Sequence, residues 1–333
     1  MTTDWKKYLL KSGLPFEYEV KECFAKCKCI IWDEYTYIKP DENNIEKEFS
    51  YDLDASYLTK SGDMLNFMIE CKYKTEPTSW FFLPDPYSTQ QEVTPNSFLH
   101  PVDYFTNNKF IFKSYPYYNI QKPLGEFCLK GVEILNTQFL ELTIHKAIQQ
   151  LSYAFIEKVI ESMDSQLTAE HSDMADAISF NIPIIITNAE LRLINKNLTI
   201  SDINNSNDIN GISQKYDFLF FDNHIGENLR QHNLRLLNNY FSEEKAELFN
   251  LKNKSFTTNL SHFVNVLAQH YCPDVILIMH HDTEHNNYRK LFDYVDYFFE
   301  RSQTLINRLK EINIETEIKR QKLQCEFELP PKK

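Results

Sequence analysis

Glycine is scarce in this chain: 333 residues contain only 6, too few for a loop-dominated or glycine-periodic repeat architecture. No phosphate-cradling glycine loop, nucleophile elbow or dinucleotide fingerprint is present. No run of about 18 apolar residues occurs, so nothing reads as a membrane-spanning helix. The first residues, Met1 to Lys7, lack the apolar segment of a secretory leader, and a cytoplasmic location is expected. Cysteine gives no disulfide frame, because 7 is an odd number and Cys23, Cys27 and Cys29 have no second pair at zinc-ribbon spacing. They are expected to be reduced, buried small hydrophobes. Positive charge is short as well, with 35 Lys and Arg against 47 Asp and Glu and a formal net charge of −12. That balance weakens nonspecific attraction to a polyphosphate, so a nucleic-acid ligand would need a local basic patch or a partner subunit.

What is present is apolar and aromatic. A hydrophobic content of 42%, with 14% aromatic residues, supports a well-filled core and excludes a disordered chain. Residues 14–28 have the spacing of a helix, with Pro15 in the first turn and Phe16, Val20, Phe24 and Cys27 on one stripe. Strands are expected at 29–32, 47–58 and 65–74, the last two joined by a turn through Gly62. Seven of the 13 prolines fall between 76 and 135, among rings such as Trp80, Phe81, Phe82, Tyr104, Phe105, Tyr115, Tyr117 and Tyr118. Such a stretch predicts an excursion from the sheet, whose rings either pack a small subdomain or stack on bases. A long helix at 137–163 follows, then buried strands at 180–187 and 275–279. Leu191 to Ile194 is expected beside the first of these, a further strand at 216–221, helices at 228–250 and 256–270, and a helical tail at 287–320.

The chemistry-bearing residues gather at the second and third strands. Phe67-Met68-Ile69-Glu70-Cys71-Lys72-Tyr73-Lys74 delivers Glu70, Lys72 and Lys74 to one strand face. Asp52 and Asp54 share a face of the preceding strand; a bulged hairpin sets Asp52 across from Glu70 and Asp54 across from Met68, while a register one residue longer moves the pairing to Asp54. Idle charges on so apolar a strand are costly, so a task for them is expected. Carboxylates beside a Glu-x-Lys are the groups that hold a hard divalent cation and an activated water.

Asp52 or Asp54, a turn, then Glu70-Cys71-Lys72 resembles the PD-(D/E)XK nuclease superfamily, the restriction-endonuclease-like fold. Ser12 to Val20 is similar to that superfamily's first helix, with Glu17 as the acidic residue facing the site; the likeness covers about residues 12–75. The resemblance implies a mixed α/β sheet flanked by helices, and Mg²⁺ or Mn²⁺ held by Asp54 or Asp52, Glu70 and the Cys71 carbonyl. It implies that Lys72 orients or deprotonates water, and that Gln149 or Gln150 on the long helix, with Lys74, meets the substrate. The expected activity is hydrolysis of DNA phosphodiesters, in restriction, repair or anti-phage defence. On this reading residues 1–200 form the nuclease core, with 76–135 inserted, and 201–333 a C-terminal extension with its helical tail.

Two other readings stand beside it. The fold could serve as a binding or scaffold subunit, inactive without a partner protein, and a homodimer is compatible with either. His280-His281-Asp282-Thr283-Glu284-His285, after the last buried strand, could bind a transition metal, or Asp282 or Thr283 could simply cap the tail helix.

Overall fold

The computed structural model describes residues 4–40, 45–60, 63–75, 77–85, 97–105, 123–135, 138–140, 142–168, 178–252, 259–270, 272–282 and 284–300, with four short pieces between 306 and 319. In chain order its elements are α1 (Trp5–Lys11), α2 (Leu14–Lys26), β1 (Ile30–Trp32), β2 (Tyr35–Pro40), β3 (Glu46–Tyr51), β4 (Leu53–Leu58), β5 (Met64–Lys72), β6 (Thr78–Pro84), β7 (His100–Val102), β8 (Glu126–Leu135), β9 (Gln138–Leu140) and α3 (Leu142–Thr168). Then come β10 (Ser179–Thr187), β11 (Glu190–Ile194), α4 (Ile200–Asn205), α5 (Ile209–Ile212), β12 (Ser213–Tyr216), β13 (Phe218–Asp222), α6 (Glu227–Tyr240), α7 (Glu243–Lys252), α8 (Leu260–His270), β14 (Val275–His280) and α9 (Asn286–Phe298). No described helix is long and apolar enough to cross a membrane.

A 12-stranded mixed sheet runs β1-β4-β5-β10-β14-β13-β8-β6-β11-β12, with β7 added to β10 and β9 to β8, while β2 and β3 form a separate hairpin. Helices cover both faces, as expected of an α/β protein. β5 explains why. From Phe67 to Cys71 every residue of this strand is buried, so both its faces need a cover. Leu65, Phe67 and Ile69 point into a cluster with Phe16, Val20 and Phe24 of α2 and Leu291, Phe292 and Val295 of α9. Met68 points the other way, into a cluster with Leu151, Phe155 and Val159 of α3 and Val264 and Leu267 of α8. The result is a helix–sheet–helix sandwich.

Three neighbouring strands, β5, β10 and β14, are parallel, and Lys72, Thr187 and His280 end them side by side. β1 and β4 add antiparallel strands on the β5 flank. The carboxyl ends of parallel strands in an α/β sheet are a recurrent place for a functional crevice.

Three expectations need correction. First, the described parts of 76–135 contribute strands to the sheet: β6, β7 and β8 are members of it, with β6 and β8 paired antiparallel from Thr78↔Leu135 to Pro84↔Cys128. Trp80 and Phe82 alternate inward to the α3 side of the core, and Gly131 admits the Phe82 ring, since a Cβ there would lie 2.5 Å from it. Tyr115, Tyr117 and Tyr118 lie outside the described residues. Second, β11 is not beside β10 but pairs with β6 and β12. Beyond Lys72 and Thr187 the two parallel neighbours β5 and β10 each reach a corner, and the next long strands of the chain after them, β6 and β11, are again parallel neighbours in the far half of the sheet. Third, the strand expected at 47–58 is broken at Asp52 into β3 and β4, which belong to different sheets. The boundary placed at residue 200 runs through the sheet, because β14 sits between β10 and β13.

Asn188 staples the two corners. Its Oδ1 accepts the Lys74 N–H at 2.7 Å and its Nδ2 donates to the Lys74 carbonyl at 2.8 Å. Only an amide can both accept and donate there. Asn188→Asp keeps the shape and loses the donor, so a loss of about 1–3 kcal/mol in urea unfolding is expected. An unchanged unfolding midpoint would mean that the corner is held by something else.

Candidate active site

Glu70 sits on the α3-facing side of β5 with none of its surface exposed. The β4–β5 register pairs Leu53 with Ile69, which carries Asp52, at the β3–β4 bend, to the position opposite Glu70. There Asp52 Oδ2 accepts the backbone N–H of Cys71 at 2.6 Å. Lys72, two residues further on the same face, places its ammonium against Glu70 Oε1. Gln150 of α3 closes that end: its Oε1 lies 3.4 Å from Lys72 Nζ, and its Nε2 donates to the Ser50 carbonyl at 2.9 Å. Glu17, in the first turn of α2, is half-buried near Asp52 and Lys72. Glu70, Lys72, Asp52, Glu17 and Gln150 are therefore one constellation.

Its electrostatics are lopsided. Burial above all, then the negative charge of Asp52, pushes the Glu70 carboxyl up to about 8, against the pull of Lys72. Burial likewise raises Asp52, although Lys72 and the Cys71 N–H hold it down, and burial with Asp52 raises Glu17. Lys72 itself is drawn down by burial, but the charge and hydrogen bond of Glu70 outweigh this and leave it raised. Glu70 and Lys72 titrate as a pair, and the complete burial of Glu70 fixes its direction. Three carboxyl groups face one ammonium, so the cluster is short of positive charge. Glu70 Oε2, moreover, is buried with no hydrogen-bond partner among the described residues. So is the Tyr37 hydroxyl on β2, whose phenol is raised by burial and then by the Glu70 charge.

The other expected residues are engaged elsewhere. Asp54 forms an ion pair with Lys158 of α3 at 2.7 Å and accepts from the Tyr51 hydroxyl at 3.0 Å. Of the two aspartates, then, Asp52 joins Glu70 and Asp54 joins α3. Lys74 is paired with the buried Glu133 of β8 at 2.7 Å, where Trp80 Nε1 also donates at 3.0 Å. Gln149 bonds His145 on the outer side of α3 at 2.9 Å, away from Lys72. The Cys71 side chain points into the opposite core, and burial raises its thiol.

His281 and His285 stand edge to face with ring centroids 6.1 Å apart, and Glu19 Oε1 lies 3.3 Å from His281 Nε2, but each Nδ1 turns to a different partner and no metal-holding group forms there among the described residues. His280 Nδ1 meets the Ala189 carbonyl at 2.9 Å, His281 Nδ1 the Tyr288 hydroxyl at 2.8 Å, and His285 Nδ1 the Cys23 sulfur at 3.2 Å. Asp282 caps α9, accepting the N–H of Asn286 at 2.7 Å and of Asn287 at 3.0 Å. His285 has φ 59°, so the i, i+4 helical spacing from His281 is not formed.

Sequence reasoning missed Tyr37 and Lys158. Lys158 had a signal, since it lies eight residues after Gln150 and so on the same helix face. Tyr37 had none, being brought in by a hairpin that belongs to another sheet.

Among the described residues no group of three or more His, Cys, Asp or Glu side chains is gathered tightly enough to hold a metal ion. Two carboxylates with waters meet the needs of Mg²⁺, however, and Asp52 with the unpartnered Glu70 oxygen fit that donor set. No protein-family model matches the chain, and neither a curated protein nor a solved structure matches it.

Proposed function

We propose that this chain is a divalent-metal-dependent nuclease of the restriction-endonuclease-like kind, hydrolysing phosphodiester bonds of DNA. The observation that carries this is the buried, unpartnered Glu70 oxygen in a cluster of three raised carboxyl groups and one ammonium. Such a cluster, at the end of parallel strands, has the charge and the donor atoms to take a divalent cation. Asp52 and Glu70 would hold Mg²⁺ or Mn²⁺, which when bound neutralises charge on the phosphate and acidifies a water. Lys72, raised and therefore an ammonium at neutral pH, stabilises the negative charge that develops on the phosphate oxygens. Gln150 orients that ammonium from the far side, and Glu17 adds a third negative charge at the rim. Restriction, repair and anti-phage defence are the settings in which such an activity would serve.

Asp52 and Asp54 separate in a direct test. With Mg²⁺ or Mn²⁺, against an EDTA control, Asp52→Asn should lose plasmid cleavage. Asp54→Asn should keep it while losing roughly 1 kcal/mol or more of stability from the Lys158 pair. The reverse pattern would place the reacting phosphate on the Lys158 side of β4.

A second reading has its own support. Glu70 is fully enclosed and Lys72 already rests on it, so a substrate phosphate reaches them only if the cover over Glu70 shifts. That favours a subunit activated by a partner protein. Cleavage that appears only when such a partner is added back would establish it.

A further inference from the structure

Helix α1 buries no residue, although it carries Trp5, Tyr8, Leu9 and Leu10. These four, with Leu14 and Tyr18 of α2, are between 42% and 68% exposed. Trp5 and Tyr8 are three residues apart and share a helix face. Between and beyond them stand Lys6, Lys7 and Lys11, with no acidic residue from Trp5 to Lys11, in a chain of net charge −12. Lys6 Nζ lies 5.8 Å from the Trp5 ring centroid. Along α1 itself the charge is therefore positive and flat rings are interleaved with the cations, while Asp4 caps the helix and Glu17 and Glu19 flank Tyr18.

The place of this helix in the fold matters as much as its composition. α1 meets α2 at Ser12-Gly13, where Gly13 takes φ +84°, a value open to glycine. A Cβ on Gly13 would come 3.2 Å from Glu17 Oε1, so the joint touches the rim carboxylate of the Glu70 cluster. α1 therefore leaves from the edge of the proposed site.

We propose that α1, with Tyr18, is a platform for single-stranded nucleic acid, on which bases stack while lysines neutralise the backbone beside the site. This rests on the nuclease reading above and adds to it the substrate class. Base stacking on aromatic faces with nearby cations is how single strands are held without sequence preference. Seven helical residues span about 10 Å, room for a short piece of strand. A second copy of the chain is a poorer occupant, since a two-fold contact sets the same three lysines against one another. A lipid surface is poorer too, because one exposed turn pair buries little area in a membrane.

The test uses the full chain in EDTA, which suppresses cleavage, and a fluorescein-labelled oligothymidylate of about twelve nucleotides. Trp5→Ala/Tyr8→Ala should bind at least about tenfold more weakly than wild type and melt at the same temperature, since neither ring is buried. Lys6→Ser/Lys7→Ser should flatten the salt dependence of binding. Ring-dependent binding by the wild type in EDTA, with no cleavage in Mg²⁺ or Mn²⁺, would sink only the catalytic proposal and leave this one standing. Equal affinity of the ring variant and wild type, or preference for duplex over single strand, would overturn the platform. So would loss in the ring variant of self-association in sedimentation, or of binding to phosphatidylserine vesicles.

Discussion

Glu70→Gln and Lys72→Ala should each lower metal-dependent DNA cleavage by about a hundred- to a thousand-fold or more, the scale of losing one preorganised electrostatic group at a reacting centre. The two variants fail for different reasons. Glutamine keeps the shape of Glu70 and still accepts from Lys72, but it cannot supply the charge that a cation requires. Alanine at 72 keeps the carboxylates and removes the ammonium beside them. Because Lys72→Ala leaves the buried Glu70 unpaired, some loss of stability accompanies it, and Glu70→Gln serves as the fold-preserving partner. The measurement is conversion of supercoiled plasmid, and decay of a single-stranded oligonucleotide, in Mg²⁺ or Mn²⁺ and in EDTA. Cleavage by both variants at the wild-type rate would remove Glu70 and Lys72 from the chemistry.

The second large effect is on stability, and its sign depends on pH. The Glu70 carboxyl stands at about 8 in the folded protein against an ordinary value of 4.5. Between those values the folded state keeps a proton that the unfolded chain releases. Its contribution is therefore fully present below about 4.5 and is lost as pH rises through about 8. Asp52 and Glu17 are raised as well and act in the same direction. Glu70→Gln removes the largest member of this set. In EDTA the variant should match wild type near pH 5 and exceed it by a few kcal/mol near pH 9, a gap that the Asp52 charge widens and Lys72 narrows. Mn²⁺ should reverse the order at alkaline pH, because it stabilises only a protein that can ionise residue 70. A stability difference independent of pH would show that Glu70 titrates as an ordinary surface carboxyl.

Much of the central site was legible because it is local. Alternation along Phe67 to Lys72 fixed which residues share a face, and a short turn fixed Asp52 opposite Glu70. Burial of α2 on Phe16, Val20 and Phe24 followed from a 3.6-residue stripe. What escaped was set by distant pairings. Nothing near Leu191 announces that β11 crosses to β6, since an apolar run looks alike wherever it pairs. Asp54 looked as good a ligand as Asp52 until α3, a hundred residues away in sequence, supplied Lys158. Proline and aromatic density between 76 and 135 suggested irregular structure, yet Trp80, Phe81 and Phe82 are β-formers, and in β6 that preference prevailed. α1 was overlooked because a helix that buries nothing leaves no apolar stripe to read.

The strand β14 lies between β10 and β13, although it is the last of the described strands in sequence. A ribosome thus delivers β14 after both strands that flank it, and until residue 280 has emerged β10 and β13 lack the strand that joins them. The half that carries the candidate site cannot mature ahead of β14, so an interrupted chain would carry the carboxylates of the site without the scaffold that assembles them.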